Sequence, residues 1–298
     1  MNYRHAFHAG NFADILKHVV LSLCFEHLKK KPQAFRYIDS HSGIGVYDLS
    51  GDEAQRSPEW RDGIARLVAQ TTIPKGPKSV LRPYLDAVKS LNKGAELSHY
   101  PGSPGLAAAM MRDIDRAHLC ELHEADAKTL DARFAKDARI KVEKRDGYKA
   151  LPKILPPREK RGVVLVDPPF EHRDEMAHMA EAAIKAFEAW PTGTFIFWRP
   201  LKDLWAQERF DVGFAEWLIA EKQVLPEKVL RADLWVRDLE SEGRLAGAGV
   251  FIVNPPYTLE DDLVTLLPWL SELLAQGEGA GWRVDGGFTE ESLTTEEF

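Results

Sequence analysis

Cysteine is nearly absent. Cys24 and Cys120 are the only two in 298 residues, so there is neither a disulfide framework nor the thiolate set of a structural zinc site. No apolar run reaches the roughly 18 residues of a membrane-spanning helix, and the longest are strand-sized. The opening Met1-Asn2-Tyr3-Arg4-His5 is polar and lacks a secretory signal's hydrophobic region, so a cytoplasmic protein is expected. Internal repeats and low-complexity tracts are missing too. The remainder is ordinary for a globular protein: 44% hydrophobic and 29% charged residues, in a length fitting one large domain or one domain plus an insertion.

The net charge of −7 weighs against a polyanionic ligand, but the charge is unevenly spread. Residues 254–298 hold ten acids against Arg283 alone, leaving residues 1–253 at +2. The first 36 residues set six Lys/Arg and four histidines against Asp14 and Glu26. A basic arm and an acidic tail fit a nucleic-acid footprint as well as they fit solvated faces of unlike sign.

Helical and strand periodicities alternate along the chain. Phe12, Ile15, Leu16, Val19, Val20, Leu23 and Leu28 predict a helix over 11–31, which Pro32 ends. A strand over 35–39 leads into the turn Ser40-His41-Ser42-Gly43-Ile44-Gly45. Residues 52–95 are polar and predicted helical, broken at Pro74-Lys75-Gly76-Pro77. Further helices are predicted over 105–117, 126–134, 174–189 and 203–222, with strands over 117–121, 140–143, 163–166, 194–198, 229–236 and 250–253. The alternation predicts an α/β domain with a mainly parallel sheet and an antiparallel final pair.

Several motifs fall at strand ends. The turn after 35–39 lets backbone approach a ligand through Gly43 and Gly45, but Asp48 stands where a dinucleotide fingerprint has its third glycine. Glu121 ends the next strand, where an acid accepts hydrogen bonds from ribose hydroxyls. It lies 76 residues beyond Gly45 instead of about 20, which predicts an insertion near 50–100. Asp146-Gly147-Tyr148 follows the third strand and could accept an adenine amine, or be a plain Asp-Gly turn. The most specific element is Asp167-Pro168-Pro169-Phe170, after an all-apolar strand. Its prolines remove backbone donors and leave carbonyls on a rigid loop. Asp167 and the Pro168 carbonyl can accept both hydrogens of an NH2 group, and Phe170 offers a stacking face. Asn254-Pro255-Pro256-Tyr257 has a similar composition but ends the last predicted strand, so it is expected to be chain termination or a wall of the substrate cleft.

The run from Tyr3 to His18, Tyr-Arg-His-Ala-Phe-His-Ala-Gly-Asn-Phe-Ala-Asp-Ile-Leu-Lys-His, resembles the opening of the RlmJ family of 23S ribosomal RNA adenine-N6 methyltransferases. Tyr37 through Tyr47, Tyr100-Pro101-Gly102-Ser103-Pro104, Glu121, Asp146-Gly147-Tyr148, Asp167-Pro168-Pro169-Phe170 and Asn254-Pro255-Pro256-Tyr257 match it in the same order. Phe170 stands where the motif often has Tyr, and Ser42 and Ile44 where Ala is common; the stacking face is kept. The resemblance implies a Rossmann-like class I methyltransferase sheet over 1–50 and 101–298, a small helical insertion over 51–100, and S-adenosylmethionine as cofactor. It implies that Asp167, Pro168 and Phe170 are catalytic. Lys17, His18, His41, Gly43, Gly45, Ser103, Glu121, Asp146, Gly147 and Asp167 would bind the cofactor, and Tyr3, His5 and Phe170 the RNA. No metal is expected, since Asp14 is the only acid near the arm's histidines.

The implied substrate is 23S rRNA, protein-free or early in assembly, acted on by a monomer away from any membrane. A DNA adenine-N6 methyltransferase shares the chemistry of Asp167-Pro168-Pro169-Phe170. A nucleotide-dependent oxidoreductase would leave that loop unexplained, and a non-catalytic RNA-binding module would need no cofactor.

Overall fold

A computed structural model describes residues 4–286 except Lys93, Ala95 and Glu242. Tyr3 and the last twelve residues, with four of the tail's acids, lie outside it.

Helix α1 (Phe12–Lys29) begins where the Asn11 side chain accepts a hydrogen bond from the Asp14 amide at 3.0 Å. It is buried on nearly every side over its first three turns. Strand β1 (Arg36–Asp39) follows, then a turn in which Gly43 and Gly45 take positive φ. Strand β2 (Val46–Asp48) pairs antiparallel with β3 (His99–Pro101). Between them in sequence run α2 (Asp52–Arg56), α3 (Glu59–Asp62), α4 (Ile64–Val68) and α5 (Lys75–Leu91). Lys75, Gly76 and Pro77 open α5 and do not break a helix, because a proline in the first turn forfeits no intrahelical hydrogen bond.

Helix α6 (Ser103–Met110) is shorter than the predicted 105–117. The buried Asp115 carboxylate takes the amides of Phe35 and Arg112 at 3.1 and 2.9 Å, pinning the chain in a loop before β4 (Arg116–Glu121). Then come α7 (Glu124–Phe134), β5 (Ile140–Lys144), α8 (Gly147–Ile154), β6 (Gly162–Val166), α9 (Glu175–Ala189) and β7 (Thr194–Pro200). Helix α10 (Leu204–Glu216) stops short of the predicted 222 and passes into a wider π-type turn, Trp217–Glu221. Strands β8 (Val229–Trp235) and β9 (Gly247–Val253), α11 (Leu259–Leu274) and β10 (Gly281–Gly286) complete the described chain.

Eight strands form one sheet in the order β10-β8-β9-β7-β6-β1-β4-β5. The run β7-β6-β1-β4-β5 is parallel, and β9 inserts antiparallel between β7 and β8. This is the Rossmann-like class I methyltransferase sheet, with β10 as an added antiparallel edge. Chain order reverses at β1, flanked by β4 and β6, so the crevice for a ligand lies above the C-terminal ends of those strands.

Side-chain alternation divides the core between the two faces. Tyr37, Leu119, Leu165 and Ile196 face α1, α5, α6 and α11, whereas Ile38, Val164, Val166 and Phe197 face α8, α9 and α10. Ile64, Leu67, Leu81 and Tyr84 of the 52–91 helices belong to the first of these clusters.

Strand direction overturns one expectation. Because β9 is antiparallel, with Val253 opposite Phe195 and Ala248 opposite Pro200, Asn254 emerges at the sheet edge where β7 begins. Asn254-Pro255-Pro256-Tyr257 therefore neither ends the fold nor walls the cleft beside Asp167; it leads into α11 on the far side.

Candidate active site

Every residue of β6 is buried, and the strand delivers Asp167 to the C-terminal edge. There the carboxylate meets a cation from the other end of the chain: Lys17 Nζ lies 2.5 Å from Asp167 Oδ2 and 2.8 Å from Asp14 Oδ1. Asp14 also accepts from the Gly10 amide at 2.8 Å, and His5 Nε2 lies 2.9 Å from its Oδ2. A line His5–Asp14–Lys17–Asp167 thus ties the N-terminal arm to the β6 loop. Burial works against the Lys17 ammonium, but Asp14 and Asp167 more than offset it and raise its pKa above the ordinary lysine value. Burial likewise opposes the Asp14 charge, and His5, Lys17 and His18 hold its pKa well below normal. Lys17 remains an ammonium at neutral pH.

Phe170 has φ +49, a left-handed conformation that is costly for a bulky side chain, by about 1–3 kcal/mol. Pro168 and Pro169 stiffen the approach to it. The ring meets Trp198 edge-on, with centroids 5.7 Å apart.

Opposite stand the β1, β4 and β5 ends. Glu121 accepts from the Gly43 amide at 2.8 Å through Oε2 and the His123 amide at 2.7 Å through Oε1. Burial raises its pKa despite those amides. Asp146 caps α8, and Gly147 packs so tightly on β1's loop that a Cβ would sit 2.0 Å from the Ser40 carbonyl oxygen. The His41 ring meets Tyr148 edge-on at 4.9 Å, and burial pushes its pKa down to about 4. His18 Nδ1 lies 2.8 Å from Tyr100 Oη, whereas its buried Nε2 has no partner among the described residues. Burial pushes its pKa down to about 3.

Asp39 is the residue that sequence reasoning passed over. It is wholly buried, accepting from Tyr37 Oη at 2.5 Å, Ser103 Oγ at 2.7 Å and the His41 amide at 3.2 Å. Burial pushes its pKa up to about 6 against those three donors. Its signal was available: an acid two residues after a tyrosine, closing a buried strand.

One cavity of about 640 Å³ unites these groups. His5, Lys17, His18, His41, Gly43, Ser103, Glu121, Asp146, Gly147, Asp167, Pro168 and Phe170 all line it. Gly45 does not. Its carbonyl accepts from the Gly102 and Gly105 amides, and a Cβ there would strike Phe134 at 2.8 Å, so it seats the turn on α6 and α7. Trp198, Pro200, Lys202 and Arg244 add a second wall that no motif predicted.

Comparison with known proteins agrees over almost the whole chain. A family model described as "Ribosomal RNA large subunit methyltransferase D, RlmJ" matches residues 32–286. A Haemophilus influenzae protein named "Ribosomal RNA large subunit methyltransferase J" is 37% identical over 286 residues, covering 96% of this chain and 98% of its own. An Escherichia coli protein of the same name is 36% identical over 285 residues, covering 94% and 96%. A Legionella pneumophila crystal structure superposes with a TM-score of 0.84 at 31% identity, covering 95% of this chain and 99% of that one.

Proposed function

The chain belongs to the RlmJ family of ribosomal RNA large subunit methyltransferases, and from that premise we propose that it transfers a methyl group from S-adenosylmethionine to the N6 amine of an adenine in 23S rRNA. The observation that carries this reading is the shared cavity. The Asp-Pro-Pro-Phe loop and the Glu121 carboxylate, with the Gly43 amide that donates to it, face the same space.

The residues fit the cofactor. Two backbone N–H groups hold Glu121 in place, and its carboxylate keeps lone pairs for ribose hydroxyls. Asp146, partly exposed at the start of α8, offers an acceptor for an adenine amine. His18 Nε2 is a buried polar atom for which no described residue supplies a partner. S-adenosylmethionine supplies a methyl group on a sulfonium, electrophilic enough that the acceptor amine needs alignment more than activation.

That alignment falls to the β6 loop. Asp167 and the Pro168 carbonyl accept the two N6–H bonds, fixing the amine and stabilising the positive charge that grows on nitrogen. Lys17 holds the Asp167 carboxylate by its Oδ2 and keeps it oriented. The proton that N6 loses after transfer leaves along its hydrogen bond to Asp167. Withdrawing the base from its stack costs a few kcal/mol, and stacking on Phe170 returns about 1–3 kcal/mol. His5 and the arm it belongs to close the RNA side. We take 1–50 and 101–298 as the catalytic body and 51–100 as its helical insertion, in a cytoplasmic, monomeric enzyme.

Methyl transfer from labelled cofactor to unmodified 23S rRNA, with duplex DNA alongside, tests this. The expected result is label at adenine N6 in RNA, lost in Asp167→Ala. Label in DNA alone would keep the chemistry and replace the substrate by DNA.

A further inference from the structure

The cavity's second wall is built from the end of β7 and the loops after β7 and β8. Pro200 and Lys202 line it directly, and the chain then enters α10 with Leu204 and Trp205 facing solvent, 47% and 65% exposed. The parallel pairing of β6 and β7 puts this turn at the edge that carries Asp167. A tryptophan left this open forgoes the burial that normally justifies so large an apolar ring. The Arg209 guanidinium sits over it at 4.6 Å from the ring.

We propose that Trp205 is a stacking platform for an unpaired nucleotide next to the target adenine, with Lys202 and Arg209 set against the flanking phosphates. This rests on the RNA reading given above. Charge complementarity favours nucleic acid over an apolar partner. The two acids that flank Trp205 in sequence are already engaged, Asp203 capping α10 through the Ala206 amide at 2.9 Å and Glu208 bridging Arg231 at 2.8 Å. Arg244 adds a further cation on the cavity wall.

The platform is also rigidly mounted. Arg199, at the end of β7, is fully buried and donates to Asp211 of α10 and Asp233 of β8, each at 2.8 Å. Gln207 reaches the same Asp211 at 3.1 Å. Helix α10 is thereby locked to the sheet, and a nucleotide that stacks on Trp205 need order little beyond itself.

Steady-state kinetics on an rRNA fragment tests the proposal. Trp205→Ala is expected to raise the RNA KM by about 5- to 100-fold, with kcat at saturating RNA and cofactor affinity held. Trp205→Phe should recover most of that loss, and Lys202→Ala with Arg209→Ala should flatten the salt dependence of KM. Wild-type transfer with an unchanged KM in Trp205→Ala overturns the platform alone. If that variant instead loses a concentration-dependent self-association with KM unchanged, the patch is a protein contact and the proposal falls. Wild-type protein that transfers nothing to RNA overturns the function above and this inference with it.

Discussion

Two loops of this protein are close to copies in composition. Asp167-Pro168-Pro169-Phe170 and Asn254-Pro255-Pro256-Tyr257 each follow a buried strand, and each contains one non-glycine residue with positive φ, Phe170 and Asn254. Their surroundings have little in common. Asp167 opens into the cavity and is held by a buried ammonium from α1. Asn254 spends its side chain locally, donating to the Pro191 and Gly193 carbonyls at 2.9 and 2.8 Å, while its own carbonyl accepts from Thr194 Oγ1 at 2.8 Å. Phe170 packs on Trp198, whereas Tyr257 is 76% exposed beside Lys30 and His27. One motif became an acceptor on a cleft and the other a turn lock. The cause is strand direction: β6 is parallel to its neighbours and β9 is not, so equal loops leave the sheet at opposite edges.

The sharpest way to widen that contrast is to remove the buried charge that holds the first loop. Lys17→Met leaves Asp14 and Asp167 without their shared counterion and should cost about 3–5 kcal/mol in urea unfolding, with no counterpart at the second loop. Next come the polar residues themselves. Asp167→Ala is expected to lower kcat by about 100- to 1000-fold in labelled methyl transfer. Asn254→Ala should leave kcat alone and lower stability by about 1–2 kcal/mol through two lost hydrogen bonds. A comparable loss of kcat in both variants would break the comparison.

Acid should separate the edges further, since His18, His41 and Asp39 all lie at the catalytic one. His18 and His41 are held below the ordinary histidine value, so the stability they carry at neutral pH is lost as pH falls from about 6.5 toward 3 and 4. Asp39 runs the other way: its contribution is present below about 4 and is lost as pH rises through about 6. Two histidines outweigh one carboxylate, giving a net loss of about 2 kcal/mol between pH 7 and 5. Urea midpoints across that range measure it, and His18→Gln should flatten the slope. The smallest effect belongs to Tyr257→Ala. A shift within about 0.5 kcal/mol and unaltered methyl transfer are expected for so exposed a ring, and a larger change would give the second loop a role beyond locking its turn.

Much of the frame was legible in the residues. The apolar runs at 35–39, 117–121, 163–166 and 194–198 all lie within or over strands β1, β4, β6 and β7. Helix α11 was not foreseen, although Leu259, Leu263, Leu266, Leu267, Leu270 and Leu274 keep helical spacing, because Pro268 interrupts the pattern without ending the helix. Helix α8 was hidden in the same way by Pro152. Strand β10 has no apolar alternation strong enough to stand out; it exists through its antiparallel pairing with β8 and its Arg283–Asp233 and Asp285–Arg231 ion pairs. In the cavity, residues whose chemistry is local, such as Glu121, Asp146 and Asp167, could be singled out from strand-end motifs. Trp198 and Lys202 could not, because their meaning comes from neighbours distant in sequence.

By itself, the sequence determined the central strands and the helices with unbroken apolar spacing, the turn at Gly43 and Gly45, and which side chains have the chemistry to hold an amine. These properties follow from side-chain spacing and backbone sterics within a few residues. Tertiary structure alone decided that Asn254 leaves the sheet at the edge opposite Asp167, and that Lys17, 150 residues from Asp167, would hold that carboxylate. Both facts depend on strand direction and on charges brought together by burial, and no short window of residues contains either.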